Sequence, residues 1–467
     1  MPSRTASTLR RCTITTFKGE SCNDQLSPPR IVVFTMQVDL SARWPLAVID
    51  MRELPVLLFE YFPATSIPGG SQTATYQNAL GHRLAIRFGR DGRAVSVVAD
   101  GTPQSVLREI ETRIQNELVE VHTTGVSRQL IFLKFDLTRS WRCGTALAVA
   151  PAPEEMPRVS YADADTPAVL ELGVALSTNR QVNSVRVARY AQEASYLLNV
   201  LFEGGVRQQD RSMSYAWVTE LNVEHGTLSN RWAQLGYHSS GLDPEGEGFL
   251  ADRYEPLPLI SDSEYFSRVG LGSNVDFELP GEIDRLVIAF DALSAENRAC
   301  FIRACYWYRK GNDAWVVSRS LAFVALVSAI EALIDEPKAG GTTCEACGKA
   351  TGAGPTAAFR SILERLVPGP QSGKFRSDLY RRRSKLAHGD RLLAADEPGY
   401  GAGLSPASAD EYWSWVELRA IVRLALVNYL RIASGELPML EFAVTSPKVH
   451  FRTAGFIPEV PPDMIGS

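Results

Sequence analysis

One helix-forming segment constrains the fold of this chain more than any other feature. The segment AWVVSRSLAFVALVSAIEALID (314–335) carries eleven uncharged residues from Ser320 to Ile330, followed by Glu331. As a helix it is apolar on nearly all sides, and such a helix is stable only when other helices surround it. The run is also shorter than the ~18 to 20 apolar residues that span a bilayer. It therefore predicts the central helix of a bundle and no membrane partner.

Four more helix-forming segments flank this one, and Gly- and Pro-rich turns separate them. They are ALSAENRACFIRACYWYRK (292–310), AAFRSILERLV (357–367), KFRSDLYRRRSKLAH (374–388) and SADEYWSWVELRAIVRLALVNYLRIAS (408–434). Their apolar residues recur with helical spacing, which is typical of helices that each bury one face. We expect an all-α helical-bundle domain at 286–435, followed by a C-terminal extension at 436–467.

The preceding region, 36–285, has a mixed texture. Short β-rich runs indicate strands, and two longer segments indicate helices. The strand-like runs are IVVFTMQVDL (31–40), PLAVIDM (45–51), LPVLLFEYF (54–62), a hairpin at 82–101 and MSYAWVTELNVEH (213–225); the helix-like segments are 105–121 and 187–202. A Pro-rich stretch at 150–157 places a sub-boundary near 150–165. The fold class is therefore α+β, with a mixed, strand-rich region before the bundle.

Residues 1–35 differ in composition from the rest of the chain. They carry Arg and Lys with no acid before Glu20, are rich in Ser and Thr, and lack the apolar stretch of a secretory signal. We expect a disordered tail, or a start codon placed too early with Met36 as the true start. Seven scattered cysteines in 467 residues are too few for a disulfide scaffold, so a reducing cytoplasm fits best.

Charge is reversed locally in the bundle. The whole chain has a net charge of -5, yet eight Lys or Arg residues and only two acids lie between Arg360 and His388. Clustered cations of this kind neutralise phosphates and release counterions. The sequence therefore predicts a phosphate-binding surface in this cluster.

The end of the cluster, YRRRSKLAHGD (380–390), has two interpretations. Cations are favoured in the last turn of a helix and glycine just beyond it, so the string suits a capped helix end without function. It also places Ser384 and His388 four residues apart on one helix face. The carboxylate of Glu331 needs a partner on its apolar helix, and we expect an arginine of the 381–383 cluster, either as a structural pair or to orient Arg383.

The string LYRRRSKLAHG, on a late helix that follows LAFVALVSAIEALID and AAFRSILERL, resembles the HEPN domain in its Apea-like branch. The resemblance covers about residues 290–435, roughly a third of the chain. It implies a homodimer that cuts RNA without metal, with His388 moving protons and Arg383 stabilising the transition state. RNA binding is then expected at Arg376, Arg381, Arg382 and Lys385. Ser384 stands where catalytic members often carry Asn, Asp or His.

The resemblance further implies a regulated role in anti-phage defence, with 36–285 sensing a phage-derived trigger or covering the cleft. Some HEPN domains are not catalytic, so the alternative is a module that only dimerises and binds RNA or a partner. No cofactor is expected. Cys344 and Cys347 have the spacing of half a zinc ribbon, which a second chain could complete across a dimer axis, but the default expectation is a reduced, metal-free turn.

Overall fold

The computed structural model describes most of the chain, in two compact units. One unit comprises Met1–Leu198 with Val206–Leu257, and the other Asn199–Gly205 with Pro258–Ser467. The residues described are 37–41, 43–44, 49–67, 72–89, 94–120, 123–133, 137–153, 166–202, 205–208, 215–222, 227–234, 245–246, 248–267, 277–315, 317–334, 355–369, 373–397 and 406–441. The N-terminal tail, the Pro-rich stretch from residue 154 onward, Cys344 and Cys347 lie outside them.

The first unit begins with a five-stranded antiparallel sheet. Its strands are β1 (Gln37–Asp39), β2 (Ala64–Ser66), β3 (Thr73–Gln77), β4 (Arg83–Phe88) and β5 (Ala94–Asp100). They lie in the order β1-β5-β4-β3-β2, and β4 and β5 form the hairpin predicted at 82–101. Buried and exposed residues alternate along β3, β4 and β5, so one face of the sheet packs on a core.

A second antiparallel sheet follows in the same unit. Its strands are β6 (Thr123–Leu133), β7 (Trp141–Cys143), β8 (Leu147–Pro151), β9 (Thr166–Leu176) and β10 (Val206–Gln208), and β13 (Glu245–Gly246) also pairs with β6. The order is β10-β6-β9-β8-β7. A separate hairpin joins β11 (Tyr215–Asn222) to β12 (Thr227–Gln234), where one strand was predicted at 213–225. Strand β8 is buried along its whole length.

Three helices accompany these sheets: α1 (Leu54–Phe59), α2 (Gln104–Arg113), which continues as a π-helix over Ile114–Val119, and α3 (Arg180–Leu201). Helix α2 with its π-helical continuation matches the segment predicted at 105–121, and α3 contains nearly all of the segment predicted at 187–202 but begins seven residues earlier, at Arg180. The prediction of a strand at LPVLLFEYF was wrong, because these residues form α1. Leu54, Leu57 and Leu58 recur at helical spacing and are buried, and Pro55 is favourable in the first turn of a helix.

The second unit is mainly helical. A short parallel pair, β14 (Leu259–Ile260) with β15 (Leu279–Pro280), accompanies a set of helices. These are α4 (Asp262–Ser267), α5 (Ile283–Asp291), α6 (Ala295–Ala314), α7 (Arg319–Glu331), α8 (Pro355–Leu366), α9 (Gly373–Ala387) and α10 (Pro406–Ser434). All five predicted helical segments are present. The chain is mixed α+β, with antiparallel sheets in its N-terminal half and helices in its C-terminal part, as expected.

Helix α7 lies at the centre of this second unit. It packs against α6, α8, α9 and α10, and eight of its residues are buried. Gly311 lets α6 approach closely, because a Cβ there would lie 2.6 Å from the Leu326 side chain. The apolar surface of α7 is thus covered from several sides, which explains why a helix without a polar face is stable here. Within the described chain, no helix has both the length and the apolar character needed to cross a bilayer.

Candidate functional site

Helix α9 carries the predicted site residues and docks on α7 and α8. Leu379 and Leu386 are buried, and their spacing of seven residues places them on one face, two turns apart. Arg382 and Arg383 follow Leu379 by three and four residues, so they border the same buried face. The sequence thus directs two of the three consecutive arginines toward the bundle rather than into solvent.

Arg383 reaches the last residue of α7. Its Nη2 donates to Glu331 Oε2 at 2.8 Å, so Arg383 is the cluster arginine that pairs with Glu331. Both side chains remain about a quarter exposed, at 26% and 23%, and an ion pair at that exposure contributes at most about 1 kcal/mol to stability. The pair therefore acts mainly by fixing the direction of the guanidinium. The Nε of Arg383 is buried without a hydrogen-bond partner, so only the exposed edge of the guanidinium can meet a ligand.

The end of α9 forms a Schellman motif. The amide of Gly389 donates to Leu386 O at 3.2 Å and the amide of Asp390 to Lys385 O at 3.0 Å. Gly389 has φ of +76°, a left-handed conformation that glycine adopts without strain. His388 is consequently the last residue of the helical turn, and its side chain is exposed. The capped-end interpretation and an accessible imidazole are both satisfied by one geometry.

The other predicted site residues occupy different positions on α9. Ser384 is partly exposed, and its carbonyl accepts the His388 amide at 3.0 Å. Arg381 is exposed and pairs with Asp378 at 2.9 Å, one turn away. Lys385 is exposed. Arg376 lies on α9, but its side chain is outside the described residues.

Arg382 is more buried than we expect for a surface residue that binds RNA. Its guanidinium lies 5.1 Å from the centre of the Phe323 ring on α7. Burial lowers the pKa of the Arg382 guanidinium from its ordinary value, the positive charge of Arg391 lowers it further, and the Glu411 carboxylate opposes both effects. Arginine still remains protonated near neutral pH. Arg382 is therefore a half-buried cation, not a freely solvated one.

The chain after His388 is anchored by carboxylates that the sequence analysis did not single out. Asp396 accepts from Ser318 Oγ at 2.9 Å and from the Ser320 amide at 2.7 Å, so it caps the start of α7. Glu411 on α10 accepts the Ala394 amide at 2.6 Å. The contacts of Asp396 join residues that lie 76 or more positions apart in the sequence, so no local sequence pattern predicts them. They fix the segment that leaves the exposed histidine.

Among the residues the structure describes, no three His, Cys, Asp or Glu side chains come together in a group that could hold a metal ion. The Cys344–Cys347 pair lies outside those residues, so the zinc alternative stays a prediction.

Comparison with protein families, with curated proteins and with solved structures finds no match for this chain. Function is therefore inferred from α9 and its neighbours. The site combines an imidazole that is exposed at a helix end, a guanidinium that a carboxylate orients, and a half-buried second guanidinium. Such a set can transfer protons and stabilise negative charge on a phosphate.

Proposed function

We propose that the helical unit is an HEPN-like, Apea-like domain and that it cleaves RNA without a metal ion. The observation that carries this proposal is the exposed His388 at the end of α9, five residues after Arg383, whose guanidinium Glu331 holds. The resemblance of LYRRRSKLAHG to that family supplies the reaction. The helical unit around α7 is compatible with it.

In the proposed reaction the ribose 2′-hydroxyl attacks the adjacent phosphorus atom. The O–P bond to the new ring forms, the bond to the 5′-oxygen breaks, and the products end in a 2′,3′-cyclic phosphate and a 5′-hydroxyl. One proton leaves the 2′-oxygen and one arrives at the 5′-oxygen. His388 moves a proton in this exchange, because an imidazole titrates near neutral pH.

Arg383 has the complementary role. Negative charge accumulates on the phosphorane oxygens in the transition state, and a planar guanidinium donates two parallel hydrogen bonds to such oxygens. Glu331 takes up one Nη2 hydrogen and orients the group, so Arg383 is already positioned before RNA binds. The exposed Arg381 and Lys385 extend the positive surface along α9.

The proposal extends to the setting of the site. A second copy of the chain places another His388 and Arg383 against the same RNA, as the resemblance implies for a dimer. The strand-rich unit then senses a phage-derived trigger and controls the nuclease, so that RNA is cut only during infection.

The first experiment is chemical. Purified full-length protein is incubated with RNA in excess EDTA, with and without phage components that supply the trigger, and the product ends are identified by mass spectrometry. We expect cleavage that persists in EDTA and yields 2′,3′-cyclic phosphate ends, and none on a substrate in which every ribose is replaced by 2′-deoxyribose. Cleavage that stops in EDTA, or products with 5′-phosphate ends, contradicts the proposed mechanism.

A second candidate function is a binding module without catalysis. It is favoured by the charge of Arg383, which Glu331 already partly neutralises, and by Ser384 in a position where catalytic relatives often carry a more polar group. This candidate predicts RNA binding and dimerisation with no cleavage under any trigger. Sedimentation analysis together with the cleavage assay separates the two, because only the nuclease loses a reaction when His388 is replaced.

A further inference from the structure

The three consecutive arginines of α9 differ in how their charges are satisfied. Arg381 has Asp378 at 2.9 Å and Arg383 has Glu331 at 2.8 Å. Among the residues the structure describes, Arg382 forms no ion pair, and its Nε is buried without a hydrogen-bond partner. The Nε of Arg383 is likewise buried without a hydrogen-bond partner, but Arg382 differs from both neighbours because no carboxylate among the described residues pairs with it.

The surroundings of Arg382 favour an anion. Phe323 lies 5.1 Å from its guanidinium and gives no hydrogen-bond acceptor, so donors at the edge of the guanidinium are left for other groups. Arg391 brings a second positive charge close enough to lower the pKa of Arg382, after the larger effect of burial. Two cations held near each other repel, and a shared anion relieves that repulsion.

The nearby carboxylates are already engaged. Glu411 accepts the amides of Ala394 and Ala395 at 2.6 and 3.4 Å and lies 3.8 Å from Arg319. Asp396 accepts the Arg319 amide at 3.0 Å in addition to its Ser318 and Ser320 contacts. Both carboxylates serve backbone amides in the 318–320 or 394–395 segments, so neither supplies a dedicated partner for Arg382.

We infer that Arg382 forms a phosphate-binding subsite that holds an RNA phosphate on the same helix as Arg383 and His388, with the charge of Arg391 assisting from the segment after α9. The RNA part of this inference rests on the proposed function. A phosphate has the size and the acceptor geometry that a guanidinium fork binds in a bidentate manner. The subsite is distinct from the exposed charges of Arg381 and Lys385, which attract RNA without fixing one phosphate.

Binding is measured on the full-length chain with two probes. The first is pyrophosphate, followed by isothermal titration calorimetry. The second is a fluorescent 20-nucleotide RNA, with and without a 5′-phosphate, followed by anisotropy in a His388→Ala background that prevents cleavage. Arg382→Met removes the charge but keeps an apolar stem of similar length against Phe323. Arg285→Met is the matched control, since Arg285 is an exposed cation on α5 that pairs with Glu282 and Glu436.

We expect Arg382→Met to weaken both probes by about 10- to 100-fold, since a hydrogen-bonded charge is lost, and to lower the salt dependence of RNA binding by about one phosphate contact. Arg391→Ala weakens both less, and it provides a second test if Arg382→Met does not fold. Arg285→Met retains wild-type affinities. Equal RNA affinity with or without the 5′-phosphate assigns the subsite to a backbone phosphate, and preference for the 5′-phosphate assigns it to an RNA end.

Wild-type affinity of Arg382→Met and Arg391→Ala for both probes overturns the inference. Loss of pyrophosphate binding with unchanged RNA binding overturns its RNA part and leaves a site for a small free phosphate. Failure of the proposed function gives a different result. In that case His388→Ala cleaves RNA at the wild-type rate, while Arg382→Met still binds pyrophosphate more weakly than wild type.

Discussion

The buried arginines of the strand-rich unit and the arginines near the end of α9 differ in how completely their charges are paired and enclosed. Arg128 and Glu171 in the second sheet have side chains 7% and 0% exposed, and Arg128 Nε donates to Glu171 at 3.0 Å. Glu171 also accepts the amides of Leu250 and Ala251, at 2.7 and 2.9 Å. This carboxylate is enclosed and fully used, whereas Glu331 and Arg383 are partly open and retain unused groups.

The pair Arg186–Glu53 follows the pattern of the strand-rich unit. Arg186 donates to both carboxylate oxygens, at 3.1 and 2.6 Å, and its Nη1 donates to Ala175 O at 2.8 Å. The hydrogen bonds to Glu53 raise the pKa of Arg186 from its ordinary value. By contrast, Arg383 and its partner Glu331 stay about a quarter exposed, and Arg382 has a buried Nε without a hydrogen-bond partner. The ion pairs of the first unit are therefore enclosed and stabilise its structure, whereas the cations of α9 are only partly neutralised.

The largest expected effect concerns the enclosed pair. Glu171→Ala leaves Arg128 buried without its partner and frees two backbone amides, so it lowers the free energy of unfolding by about 3 to 5 kcal/mol. Urea denaturation of the full chain measures this, and Glu171→Gln, which keeps an acceptor, loses less. If Glu171→Ala changes stability by less than about 1 kcal/mol, the pair is not structural in the way described.

Arg383→Ala removes the partly exposed ion pair with Glu331, in contrast to the enclosed Arg128–Glu171 pair. We expect RNA cleavage to fall by about 10² to 10³, as for loss of one transition-state donor, with unfolding free energy changed by at most about 1 kcal/mol. Arg383→Lys keeps the charge but not the planar fork, so its cleavage falls between the two. A loss of activity that follows the loss of folded protein in both variants assigns Arg383 a structural role instead.

Gly389→Ala tests the helix end itself. Its Cβ meets nothing within 4 Å, so the cost is the backbone strain at positive φ, about 1 to 2 kcal/mol. Gly101 in the first unit has φ of +65° and equally open surroundings, which makes Gly101→Ala a matched control. Both variants lose similar stability, but only Gly389→Ala also slows cleavage, because it alone moves His388. Equal cleavage by the two variants contradicts this.

Replacing Asp396 is expected to change the free energy of unfolding the least, and this change depends on pH. Burial raises the pKa of its carboxyl, but hydrogen bonds from Ser320, Ser318 and the Arg319 amide outweigh it and hold the pKa below its ordinary value. Its contribution is therefore present above the unfolded pKa, about 4, and is lost as the pH falls through the folded pKa. Asp396→Asn lowers stability at pH 7 by about 1 kcal/mol, comparable to loss of a helix cap, and removes this acid-dependent part.

The effect of salt is expected to distinguish the carboxylate of Asp396 from that of Glu60 in the first unit. The Arg113 hydrogen bond holds the pKa of Glu60 below its ordinary value. Because the donors to Asp396 are uncharged amides and hydroxyls, its acid-dependent contribution is insensitive to salt, whereas that of Glu60 weakens as salt screens Arg113. Acid titrations of Asp396→Asn and Glu60→Gln at two salt concentrations measure this. The same salt response in both variants contradicts the assignment.

Sequence patterns predict the parts of this molecule that local spacing determines. The apolar run of α7, the hairpin of β4 and β5 and the end of α9 at Gly389 each follow from a few neighbouring residues. The strand-like run at LPVLLFEYF misled, because a short apolar stretch suits a buried strand and a helix equally well.

The candidate site was predicted only in part, for the same reason. Glu331 required a partner on physical grounds, and the structure places Arg383 there. The burial of Arg382 depends on Phe323, and the α7 cap depends on Asp396, both far away in sequence. Contacts of this kind are made by packing, so the residues that bring positive charge together around Arg382 become evident only in three dimensions.

The most direct test of the account is the single-turnover rate of RNA cleavage by His388→Ala. We predict a fall of about 10² to 10⁴ relative to wild type, the usual contribution of a proton-transfer group, with an unchanged unfolding midpoint and unchanged RNA affinity. A rate within about threefold of wild type, which is far less than such a group contributes, contradicts the central claim that the end of α9 is the cleavage site.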